Sequence, residues 1–67
     1  MENLSEILST LRQQQGLTIR DLSAETGINI ANLSLIETGK RIPRIDTLAK
    51  ILSALGAELI IRKKVGE

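Results

Sequence analysis

Residues 18 to 37, TIRDLSAETGINIANLSLIE, read as two short helices joined by a tight turn at Gly27. Leu22, Ile28, Leu33 and Ile36 recur at a spacing that locks one helix to the other, and Ser23 is small enough for the two to cross closely. Thr18 suits the cap of the first of these helices and Asn29 the cap of the second, because each side-chain oxygen can accept from the amide three residues on. Gly27 fits a left-handed turn that a side chain would disfavour.

Upstream, Asn3 followed by Glu6 is a capping-box-like start, and Leu4, Ile7, Leu8 and Leu11 then share one helical face up to Gln13-Gln14-Gln15, with Gly16 as the stop. Leu17 precedes the Thr18 cap as an apolar staple onto Leu22. The second helix of the central pair is expected to run from about Ile30 to Thr38, ended by Gly39. Lys40-Arg41-Ile42-Pro43 follows as a basic loop through which no helix can continue. A fourth helix has Asp46 in its first turn and Ile45, Leu48, Ile51, Leu52 and Leu55 as its core stripe, closed by Gly56. Ala57 to Lys64 is aliphatic and then basic, and reads as a short strand. No second strand candidate lies upstream, so the same segment of another copy is its expected partner; continuation of the fourth helix, or irregular packing on the core, is the alternative.

The 67 residues allow one domain, and a domain so small buries only about 60% of the surface its unfolded chain exposes. No cysteine, histidine or aromatic residue occurs, which excludes disulfides, thiolate or imidazole metal sites and aromatic base-stacking platforms. Catalysis would have to use Asp, Glu, Lys or Ser, and no paired carboxylates or Ser-Lys arrangement stands out, so neither an enzyme nor a cofactor is expected. The longest apolar run, Leu59-Ile60-Ile61, is far too short for a membrane span, and the N-terminus lacks signal-peptide character, so a soluble, cytoplasmic chain is expected. Charge is unevenly spread. Residues 1 to 37 set Arg12 and Arg20 against five carboxylates, whereas residues 38 to 67 set seven basic residues against three acidic ones. Positive potential therefore gathers after the central helix pair and at the C-terminus.

A small residue, a glycine and paired aliphatics at this spacing form the pattern in which a second helix enters the DNA major groove, although any α-hairpin in a small bundle shares part of it. Leu11 to Gly56, LRQQQGLTIRDLSAETGINIANLSLIETGKRIPRIDTLAKILSALG, resembles the lambda-repressor-like, or XRE-type, helix-turn-helix family, matching it at Arg12, Gly16, Thr18, Leu22, Gly27, Ile28, Leu33, Ser34, Glu37, Gly39, Pro43, Leu48 and Leu55. The C-terminal run IDTLAKILSALGAELIIRK further resembles HipB-type antitoxins, which implies a strand pairing in a homodimer over Ala57 to Arg62. The expected architecture is thus mainly α: a four-helix DNA-binding domain over residues 1-56, then a dimerisation strand and basic tail over 57-67.

On the second central helix, Asn29, Ile30, Ala31, Asn32, Ser34 and Leu35 are the base-reading candidates. The two asparagines suit adenine, and Ile30, Ala31 and Leu35 suit thymine methyls, with plain capping as the other role for Asn29. Lys40, Arg41 and Arg44 are placed to meet phosphates, and the resemblance allows Arg44 to reach the minor groove. Thr18 and Ile19 open a helix whose first amides would anchor a phosphate, though Ile19 stands where the family usually has a DNA-contacting Gln. The family commonly pairs the residues at Arg12 and Glu37, and Glu58, Leu59, Ile60, Ile61 and Arg62 are the expected dimer contacts. These features imply a homodimeric repressor of double-stranded operator DNA, in its more specific form an autoregulating antitoxin with a cognate toxin as partner. A phage or restriction-control regulator of the same fold, or a protein-interaction module, are the alternatives.

Overall fold

A computed structural model describes residues 3–63. Its four helices run in the order α1 Leu4–Gln14, α2 Ile19–Thr26, α3 Ile30–Glu37 and α4 Ile45–Ala54. Three of the four helix starts follow the same local capping rule. Asn3, Thr18 and Asn29 all hold extended backbone, and the side-chain oxygen of each accepts from the amide three residues later. At Thr18 the bond is reciprocated: the Asp21 carboxylate accepts from the Thr18 amide at 2.9 Å while the Asp21 amide donates to Thr18 Oγ1 at 3.0 Å. Hydrogen bonding of the Asp21 carboxyl by Thr18, by its backbone amide first and its side chain second, holds that carboxyl below its ordinary value. Arg44 caps α4 without a side-chain bond.

The core contains only leucine and isoleucine: Leu8, Leu22, Leu33, Ile36, Leu48, Ile51, Leu52 and Leu55, with Leu11, Leu17, Ile19, Ile28, Ala54 and Ala57 packed at its edge. Three residues of the expected apolar helix faces are only partly covered: Leu4 is 36%, Ile7 40% and Ile45 65% exposed. The spacing of apolar residues shows which face of a helix is apolar but not how far the neighbouring helix reaches along it. Leu4 is the first residue of α1, one turn before the buried Leu8, Ile7 directly precedes Leu8, and Ile45 is the first residue of α4.

One ion pair sits inside this aliphatic packing. Arg12 Nε donates to Glu37 Oε2 at 2.8 Å and Nη2 to Oε1 at 3.0 Å, with both side chains largely shielded from water. The third nitrogen, Nη1, donates to the Leu17 carbonyl at 2.6 Å, so one guanidinium joins α1, the α1–α2 turn and the last residue of α3. Gln15 donates to the Leu55 carbonyl and ties the end of α1 to the end of α4.

The chain leaves α4 through Gly56 at φ +69°, and Ala57 to Lys63 carries no regular secondary structure among the described residues. The helix therefore does not continue past Gly56. The expected strand is likewise absent from the single chain, since an isolated strand has no ladder partner for its amides and carbonyls. Lys64, expected at its end, lies outside the described residues.

Arg12→Met removes all three guanidinium bonds and leaves a shielded carboxylate unpaired. The expected loss in urea unfolding is about 3 to 5 kcal/mol, a large share of the roughly 3 to 10 kcal/mol that a 67-residue chain has in total. Arg12→Met combined with Glu37→Leu should recover most of it, because no buried charge then remains. A single-variant loss under about 1 kcal/mol would contradict the clamp.

Candidate nucleic-acid interface

The α2–α3 turn sets the angle at which α3 is presented. Gly27 takes φ +76°, and its amide donates to the Ser23 carbonyl at 2.9 Å. Ser23 Oγ then donates to the Ile28 carbonyl at 2.6 Å, and Thr26 Oγ1 both donates to the Leu22 carbonyl and accepts from the Ile28 amide. Two hydroxyls thus satisfy the turn's backbone groups. Smallness at position 23 was readable from the sequence, but these bonds were not.

α3 buries Leu33 and Ile36 and leaves its N-terminal turn outward. Asn29, Ile30 and Ala31 are exposed, Ile30 by 40%, and Asn32, Ser34 and Leu35 are half-buried. Asn29, Ile30, Ala31 and Asn32 stand at the start of α3 and Ser34 and Leu35 in its last turn, and Asn29 already spends its oxygen on the Asn32 amide at 2.7 Å. That bond makes Asn29 a cap whose side-chain NH₂ remains for another partner.

After α3 the chain turns at Gly39, φ +81°, where an added Cβ would stand 3.4 Å from Ser5 Oγ. Both the Lys40 and the Arg41 amides donate to the Leu35 carbonyl, at 2.9 and 3.1 Å, so the basic loop folds back over the end of α3. Lys40, Arg41 and Arg44 are all exposed. Arg44 Nε stands 3.9 Å from Asp46 Oδ1 in a solvated pair of little energetic weight. Arg41 does more than carry charge: its Nη1 donates to Asn32 Oδ1 at 2.7 Å. The two residues are nine apart across an irregular turn, and no periodicity in the sequence signals that contact.

Thr18 is exposed at the start of α2, where its hydroxyl and Asp21 occupy the capping positions. Ile19 is half-buried and packs on the core, so its side chain serves the interior and only the backbone amides at this helix start face outward chemistry. Around α3, the combined surface offers hydrogen-bond donors and acceptors at a helix start, aliphatic groups beside them and three cations along one edge. Among the described residues no cluster of acidic side chains could hold a metal ion, and no helix is long and apolar enough to cross a membrane.

A family model described as helix-turn-helix matches residues 8–60. The chain is 39% identical over 56 residues to the HTH-type transcriptional repressor RghR of Bacillus subtilis, covering 82% of this chain and 42% of that protein. It is 42% identical over 59 residues to the HTH-type transcriptional regulator SutR of Escherichia coli, covering 82% and 33% respectively. A crystal structure of a transcriptional regulator from Vibrio cholerae superposes with a TM-score of 0.78 at 38% identity, over 82% of this chain and 31% of that one. The chain thus spans less than half the length of each of these relatives.

Proposed function

The chain belongs to the HTH_3, or XRE-type, helix-turn-helix family, and on that premise we propose that it is a sequence-specific repressor of double-stranded DNA working as a homodimer. The observation that carries this reading is the outward N-terminal turn of α3, Asn29 to Asn32, bordered by the exposed cations Lys40, Arg41 and Arg44. Base edges in the major groove require hydrogen-bonding and methyl-contacting side chains on a protruding helix, and the flanking phosphates require cations at its edge. The relatives that carry the same domain are named as transcriptional regulators, one of them as a repressor. The more specific form, an autoregulating antitoxin, rests on the HipB-like C-terminal run alone.

Dimerisation is part of the proposal because two-fold operators present half-sites about 34 Å apart, one turn of duplex, and one chain offers a single reading helix. Residues Glu58 to Arg62 are the proposed contact, pairing antiparallel with the same residues of a second copy. Leu59, Ile60 and Ile61 are 50%, 67% and 85% exposed, and Leu59 and Ile61 line an open groove with Ile45, Ala49 and Leu52 of α4. This uncovered aliphatic surface is what a partner's segment would bury.

Two outcomes are expected. Duplex binding should weaken steeply as salt rises, and Lys40→Ala should lower affinity across all sequences while flattening the salt slope by about 1. Salt-independent or absent duplex binding would favour a protein-interaction role instead. Ile60→Pro removes a ladder donor and should leave the chain monomeric in sedimentation, with operator affinity lost. An intact dimer for that variant would reject the strand contact.

A further inference from the structure

We propose that Arg41 and Asn32 act as one reading unit whose partner is a guanine in the major groove, so that Arg41 determines sequence preference rather than only neutralising a phosphate. The inference rests on the DNA-reading proposal above. Its starting point is the 2.7 Å bond from Arg41 Nη1 to Asn32 Oδ1. A guanidinium has five N–H donors and no acceptor, so the Asn32 carboxamide can offer it only oxygen. Chemistry therefore fixes which end of the amide faces the arginine. What remains for an outside partner is the Asn32 NH₂ group and the other guanidinium N–H groups, all donors, together with one lone pair of Asn32 Oδ1 that lies beside the guanidinium.

That set discriminates between purines. Guanine presents two acceptors, N7 and O6, to the major groove, whereas adenine presents the N7 acceptor and the N6 donor. A free asparagine suits adenine because its oxygen takes the N6 hydrogen. Held by Arg41, that oxygen keeps a second lone pair, but a cationic donor stands beside it where the adenine amino group would have to approach. Donor then faces donor, while guanine meets donors at both of its acceptors.

Both residues of the contact are anchored through their own backbone amides. The Asn32 amide is held by Asn29 Oδ1, and the Arg41 amide by the Leu35 carbonyl after the left-handed turn at Gly39. Among the described residues the ion pairs are Arg12–Glu37 and Arg44–Asp46, so no described carboxylate pairs with Arg41. The unit is assembled before DNA arrives, which reduces the side-chain ordering that binding must supply.

Selection of bound duplexes from a random pool, run in parallel with the unaltered chain, Arg41→Ala and Lys40→Ala, tests this. The unaltered chain should prefer guanine to adenine at one position of its site by roughly tenfold to a hundredfold. Arg41→Ala should lose that preference at that position, with adenine equal or favoured, and keep its preferences elsewhere. Lys40→Ala should keep the guanine. Thermal unfolding should be the same for Arg41→Ala as for the unaltered chain, since Arg41 is exposed. An Arg41→Ala preference identical to that of the unaltered chain, with affinity lowered evenly, overturns the inference and leaves DNA reading intact. An unaltered chain that enriches no sequence overturns the DNA-reading proposal and this inference with it.

Discussion

The bidentate bond between Arg12 and Glu37 is the constraint on which the placement of α3 depends. The core of leucine and isoleucine carries no directional bond of its own, so the contacts that fix direction among these helices are hydrogen-bonded ones. Arg12 supplies direction. Its three nitrogens reach the Leu17 carbonyl and both Glu37 oxygens, so the end of α3 is held against α1 and the turn before α2 at once. Shielding of both side chains makes the pair costly to break from one side, which keeps it closed in the folded state.

From that fixed end, α3 projects its other end outward. The hydroxyls of Ser23 and Thr26 set the turn into α3, and Asn29 caps its first amides. The loop after it is folded back by the amides of Lys40 and Arg41 on the Leu35 carbonyl. The first turn of α3 and the basic loop are thus both tied by hydrogen bonds to α3. In a chain of 67 residues this economy matters, because little interior is available to hold separate pieces in register.

The features that local chemistry controls were legible in the sequence. Caps at Asn3, Thr18 and Asn29 and the left-handed glycines at 27 and 39 each depend on residues within three or four positions, and the structure places each of these where the sequence reading does. Features that depend on what lies opposite were not legible. Leu4, Ile7 and Ile45 carry the right periodicity, yet they stay 36%, 40% and 65% exposed. Residues 57–63 have the composition of a strand, yet a strand is a property of two segments, and one chain supplies a single one. The Arg41–Asn32 bond joins a helix start to a loop nine residues away, and only the fold brings the two together.

The central claim is that the first turn of α3 and the loop after it form the surface that meets DNA. Amide-resolved NMR of the full chain, titrated with a duplex enriched by selection, tests it most directly. The account predicts large shift changes confined to Thr18 and Ile19, Asn29 to Leu35, and Lys40 to Arg44, with Leu48, Ile51 and Leu55 in the core unmoved. Changes centred on α4 and residues 57–63 with α3 silent would contradict it.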